Sequence, residues 1–170
     1  IEEHVIDVKH SMVLGYEKDN LKTPYRLRRI PITQAIRACL DKAIKTSNGE
    51  YVFAMESGRP FLEGSFRQNI WTKALKAAGL DYKVPYTMRH SFAAWSLTIS
   101  IDPNRLVRLM GHGSKKMVYE VYGDYVEGLE NDRYQILNYF GQDFLDPKHN
   151  RHPLSQREWR KSGESRHLRL

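Results

Sequence analysis

The chain has 170 residues, of which 41% are hydrophobic and 28% charged, with a mean hydropathy of −0.61. This suits one globular domain with a real core; no apolar run is long enough for a membrane-spanning helix, and no signal-peptide pattern opens the chain. A net charge of +7 and a pI near 9.5 favour a polyanionic partner without identifying one,.

The first residues, Ile1-Glu2-Glu3, run almost at once into Val5-Ile6-Asp7-Val8, which alternates like a strand,. Gly15 and the polar run Glu17-Lys18-Asp19-Asn20 predict a turn. Arg26 to Ile32 predicts a second strand, closed by Pro31,. Together these make a small antiparallel sheet with a hairpin. Thr33 is placed to cap a helix carrying Ile36, Leu40 and Ile44 on one face, ended by Asn48-Gly49,. The single cysteine, Cys39, lies in the apolar phase of that helix and is expected to be a buried thiol in a reducing compartment,.

Tyr51 to Ala54 is a short apolar run, and Ser57-Gly58-Arg59-Pro60 a turn,. A helix is expected from Ser65 through Ile70, Trp71, Leu75 and Ala78, stopped by Gly79,. Pro85 opens the next, reaching Ile99, with Phe92, Trp95 and Leu97 as core candidates. Asp102-Pro103 supplies an N-cap and a first-turn proline for a helix to Met110, which Gly111 breaks,. Ser114 starts another toward Tyr122, and Glu130 to Phe140 is the last. From Asp146 to Leu170 there are seven Lys/Arg, three Asp/Glu and three His with few apolar residues. This predicts a basic tail without a core, set apart from residues 1–145. It would lie along a polyanionic partner, dock on a neighbouring protomer or stay solvated.

Two boxes carry chemistry. Tyr86-Thr87-Met88-Arg89-His90-Ser91-Phe92-Ala93 is followed by Leu109-Met110-Gly111-His112-Gly113-Ser114, with tyrosines at 119, 122 and 125. The pair resembles the tyrosine recombinases (phage-type integrases), whose pattern is H-x-x-R-H-[ST]-F-A, then L-[GM]-G-H-x-S, then a tyrosine. The resemblance covers roughly residues 1–140. It implies the catalytic-domain fold, mainly α with a small antiparallel sheet near the N-terminus. The activity implied is site-specific recombination through a 3′-phosphotyrosine intermediate, without metal or other cofactor. The partner implied is double-stranded DNA, bound as a homotetramer, with no membrane and no small-molecule substrate. The setting implied is the cytoplasm, on the nucleoid, for a protein encoded by a bacterium or phage.

Strand cleavage needs a nucleophile, charge neutralisation on the phosphate and an acid for the leaving oxygen. Arg89 offers a planar, permanently charged fork for two phosphate oxygens. By resemblance His112 bonds the phosphate or accepts the tyrosine proton. His90 is next to Arg89 on the same helix, so it should point elsewhere and act mainly as a structural buttress. The commonest family spacing lands on Val121, one short of Tyr122, and Val-Tyr-Glu-Val-Tyr-Gly is similar to the variant with one extra residue. Tyr122 is therefore the expected nucleophile, with Tyr119 and Tyr125 as rivals. Tyr86 stands where the family has its first histidine; its hydroxyl can donate to a phosphate but carries no charge at neutral pH. Leu21-Lys22-Thr23-Pro24, before Arg26 to Pro31, is similar to the hairpin whose lysine protonates the 5′ oxygen. Lys22 takes that role here, with Lys18 as the alternative. The family's further arginine, on a helix before the first strand, has no counterpart in these residues. The chain thus resembles part of a longer integrase and should cleave poorly by itself.

Two other readings differ in kind. A non-catalytic DNA-binding module could keep the same fold and use only phosphate contacts. A metal site is disfavoured, because His149, His152 and His167 have unsuitable spacing,. A type IB topoisomerase shares related chemistry but lacks this second box.

Overall fold

A computed structural model describes residues 5–13, 16–18, 26–47, 49–126 and 128–146. Strand β1 (Val5–Val8) pairs antiparallel with β4 (Arg28–Pro31), Val5 opposite Pro31 and Val8 opposite Arg28. Strands β2 (Ser11–Val13) and β3 (Tyr16–Lys18) form a separate antiparallel hairpin. Glu17 and Lys18 are therefore strand residues, not part of the expected turn. Their side chains point to opposite faces and both are exposed, so both faces of this two-stranded ribbon meet solvent,. Across the larger pair, Arg29 Nε donates to Asp7 Oδ1 at 2.9 Å,.

Helix α1 (Gln34–Thr46) starts where expected: Thr33 Oγ1 accepts from the Ile36 amide, and Asp143 Oδ2 accepts from the Gln34 amide at 2.7 Å. Both acceptors sit at the positive end of the helix. Leu40 is its buried residue. Cys39 is exposed, contrary to expectation. The inward face is centred on Ile36, Leu40, Ala43 and Ile44, and Cys39 falls about 100° round the axis from Leu40. The second helical stretch begins earlier than expected, as α2 (Glu63–Phe66), widens into a π turn at Arg67–Trp71, and continues as α3 (Thr72–Ala77). Gly79, at φ +67°, ends it,.

The centre of the fold is helical. Helices α4 (Thr87–Thr98), α5 (Pro103–Met110) and α6 (Lys115–Val126) pack on one another, and α7 (Arg133–Phe140) closes the layer against α4. Ala93 from α4, Leu106, Leu109 and Met110 from α5, and Val118 and Tyr122 from α6 share one core with Ile99, Ile101, Ile136 and Phe144. Phe92, Trp95 and Leu97 are half-buried against it. Strand β4 abuts α5, which brings the sheet to the core. Arg105 is buried, yet it donates to the Phe144 carbonyl at 2.6 Å and lies 4.9 Å over the Phe144 ring. Its charge is thus met by a carbonyl dipole and a π face. Among the described residues, no helix is long and apolar enough to cross a membrane.

Asp102 Oδ1 accepts from the Arg105 amide at 3.0 Å and caps α5, with Pro103 in the first turn,. Replacing Asp102 by Ala should lower unfolding free energy by about 1 kcal/mol, read from urea denaturation midpoints at constant slope.

Candidate active site

The site is organised by the C-terminal end of α5. A helix leaves its last four carbonyls without intrahelical partners; here these belong to Val107, Arg108, Leu109 and Met110. Gly111 takes a left-handed φ of +65°, so its amide returns to Arg108 O at 3.1 Å and the His112 amide to Val107 O at 3.0 Å. This paired closure needs a residue without a Cβ penalty at position 111. The other two carbonyls are taken by arginines from distant elements. Arg28 Nε, on β4, donates to Leu109 O at 2.8 Å, and Arg89 Nη2, on α4, donates to Met110 O at 2.5 Å. The loop carrying His112 is thereby held from three sides.

Arg89 Nη2 also lies 2.8 Å from His112 Nε2. A guanidinium only donates, so Nε2 must accept and the proton sits on Nδ1. Burial holds the His112 pKa below its ordinary value of 6.5, and Arg89, Arg28 and Arg26 add to the shift by repulsion,. His112 is therefore a neutral imidazole at pH 7 with one free N–H to donate. Arg89 Nη1 has no partner among the described residues and is not sealed from solvent. Arg28 spends Nη1 on the Arg26 carbonyl and leaves Nη2 unbonded. Its own pKa is lowered by burial, then by Arg89 and Arg26. Among the described residues, no carboxylate pairs with Arg26, Arg28 or Arg89. Three convergent guanidiniums without a counter-ion make an anion receptor.

The tyrosines separate clearly. Tyr122 is 4% exposed, packed in the core one helical turn after Val118. Tyr119 is 57% exposed. Three residues advance a helix by about 300°, so Tyr119 stands at the edge of the face that Tyr122 occupies, and the packing of α6 on α4 turns it out,. The Tyr125 side chain lies outside the described residues, as does Lys22. Lys18 is described, at the exposed end of β3. Burial raises the Tyr122 phenol above its ordinary value of 10.0, more than nearby Arg89 lowers it.

Tyr122 Oη is 3.1 Å from His90 Nδ1. His90 therefore does not point away from the site, as expected from its place beside Arg89. One residue along α4 turns the side chain by about 100°, and that direction faces α6,. Tyr86 is 60% exposed and packs edge-on against the His90 ring, centroids 5.3 Å apart. The structure thus brings Arg89 together with His112 and near Tyr122, with Tyr86 at their margin. His90 and Arg28 are additions. For His90 the spacing Tyr86-x-x-x-His90 was the available signal, since i and i+4 share a helical face. For Arg28 there was none, because its partner carbonyl is 81 residues away.

Two measurements test this arrangement. In an NMR titration, His112 should protonate below 6.5, and Arg28→Gln should raise that midpoint by removing a neighbouring charge. Because the folded value is the lower one, the unfolded chain takes up this proton first. The stability tied to His112 is complete above about pH 6.5 and declines as pH falls through that value toward the folded one,. Gly111→Ala should cost about 1–2 kcal/mol in unfolding free energy, from strain at the left-handed position.

Residues 3–127 match the Phage integrase family model. Over 80 residues, 47% of this chain, the sequence is 35% identical to the prophage integrase IntR of Escherichia coli, and that stretch is 20% of the relative's length. An integrase of the transposon Tn1549 in complex with a circular intermediate DNA superposes with a TM-score of 0.61 at 21% identity, covering 78% of this chain and 49% of that one. The same integrase with transposon right end DNA gives 0.57 at 23%, covering 79% and 50%. These solved structures share the fold, mostly helical with a small antiparallel sheet. The chain spans about half of the Tn1549 integrase and a smaller part of the curated relative. With a family model covering most of its length and both boxes assembled around one helix end, the chain belongs to the phage integrase family of tyrosine recombinases.

Proposed function

We propose that this chain is the strand-cleaving part of a site-specific DNA recombinase, working through a 3′-phosphotyrosine. One observation carries the reading: Arg89 and His112 are locked together at 2.8 Å, inside a cluster of arginines with which no carboxylate pairs among the described residues, beside a buried tyrosine. The open Arg89 Nη1 and the His112 Nδ1–H would grip non-bridging oxygens of the scissile phosphate, with Arg28 Nη2 adding charge. Such donors, fixed before the phosphorane forms, are worth roughly a hundredfold or more in rate each. Tyr122 Oη would attack phosphorus, and Lys22 would protonate the departing 5′ oxygen. Tyr86 would supply at most a neutral hydrogen bond at the rim. The bond energy is kept in the phosphotyrosyl link, so rejoining needs neither ATP nor metal.

Double-stranded DNA is the partner in this reading, with four protomers assembled on it. The Tn1549 integrase structures, which are DNA complexes, support that partner. The net charge of +7 and the basic residues of 146–170 fit phosphate contacts along the duplex,. We further propose that residues 1–170 alone cleave weakly, and that full activity belongs to a longer polypeptide.

The test uses the full-length protein and a nicked duplex spanning the boundary of the mobile element that carries its gene. A covalent protein–DNA band on a denaturing gel should form and disappear in Tyr122→Phe. If that variant keeps the band and Tyr119→Phe loses it, the nucleophile is misassigned. Tight binding without any band would support a non-catalytic DNA-binding module instead.

A further inference from the structure

A phenol that attacks phosphorus must give up its proton, and Tyr122 has few places to send it. The side chain is nearly sealed from water, and burial disfavours its ionised form,. Arginine cannot accept. His112 Nε2 already accepts from Arg89, and its remaining Nδ1–H is a donor,. Tyr86 is itself a phenol. The group that remains in contact is His90, with Nδ1 3.1 Å from Tyr122 Oη and the ring centroids 5.7 Å apart. Tyr86 packs edge-on against the same imidazole, centroids 5.3 Å apart and planes at 73°, which limits how the ring can turn. His90 is exposed, so a proton it takes can pass on to solvent while Tyr122 stays dry. His90 lies one helical turn after Tyr86 on the same face of α4,.

We propose that His90 accepts the phenolic proton of Tyr122 as that oxygen attacks, an inference that rests on Tyr122 being the nucleophile. In cleavage the Tyr122 O–H bond breaks and its proton moves to His90 Nδ1, giving an imidazolium. The freed oxygen pair forms the O–P bond. The bond from phosphorus to the 5′ oxygen breaks with its electron pair on that oxygen, which the general acid protonates. In rejoining, the 5′ hydroxyl loses its proton to that same group and attacks, the P–Oη bond breaks, and His90 returns its proton to Tyr122. Atoms and charge balance without a redox partner or a metal.

The experiment compares two junction-spanning nicked duplexes, one with the natural 5′ bridging oxygen and one with sulfur there, since a thiolate departs without an acid. Single-turnover adduct formation by the full-length protein is measured for His90→Asn, Lys22→Ala and Tyr122→Phe, together with DNA binding. Asn keeps a polar group near the place of Nδ1 but cannot take the proton. His90→Asn should be slower by about a hundredfold or more on both duplexes with binding unchanged, whereas Lys22→Ala should recover on sulfur. A His90→Asn rate within a few-fold of wild type on both duplexes overturns the proposal. Recovery of His90→Asn on sulfur also overturns it, because His90 would then serve the leaving group. Adduct formed by Tyr122→Phe would instead refute the nucleophile, whatever His90 does. Should His90→Asn fold poorly, His90→Ala with added imidazoles replaces it: adduct rates must rise with the basicity of the imidazole, and a folded variant with no such response rejects the role.

Discussion

The end of α5 is the constraint on which the rest of the site depends. Four carbonyls at the negative end of a helix must be satisfied or left orphaned near the core. Two are closed locally through the left-handed Gly111. The other two, on Leu109 and Met110, are bonded by Arg28 from β4 and Arg89 from α4. The same contacts bring two guanidiniums to the negative end of the helix dipole. Removing either arginine would leave a carbonyl without its partner, so the proposed chemical role and the structural one fall on the same side chains.

This arrangement also sets the electrostatics. Guanidiniums placed beside one another repel, and here no carboxylate among the described residues relieves them. Part of the cost is offset by the carbonyl dipoles they bond. The rest is unrelieved repulsion, which adds to burial in holding His112 in the neutral state. A neutral imidazole with its proton on Nδ1 acts as a hydrogen-bond donor of fixed polarity, not as one more positive charge. The buried Arg89 Nε, which has no acceptor, fits a residue placed for a ligand at some cost to stability.

Burial makes Tyr122 hard to ionise, while the same burial holds its hydroxyl in one place. The phenol is shielded from water and lies 3.1 Å from an imidazole nitrogen, the arrangement on which the proposed proton transfer rests. Exposed Tyr119 has neither property. Which of two tyrosines three residues apart is buried is thus decided by how α6 rolls against α4, an outcome of core packing around Val118 and Ala93.

Much of this was legible in the amino-acid order. The caps at Thr33 and Asp102, the break at Gly111 and the strand character of Val5–Val8 and Arg28–Pro31 follow from local propensity, because each is decided within a few residues; the two boxes with Arg89 and His112 were legible through their resemblance to a family pattern. The exposed Cys39, the π turn at Arg67–Trp71 and the strand character of Glu17 and Lys18 were not legible. A short apolar phase leaves the centre of a buried face open by about one residue, and only the neighbouring elements fix it. The site divides the same way. The family resemblance pointed to the arginine, the histidine and a choice of tyrosines. Tertiary structure alone brought Arg28 to Leu109 O and turned His90 toward Tyr122, because those contacts join residues 81 and 32 positions apart.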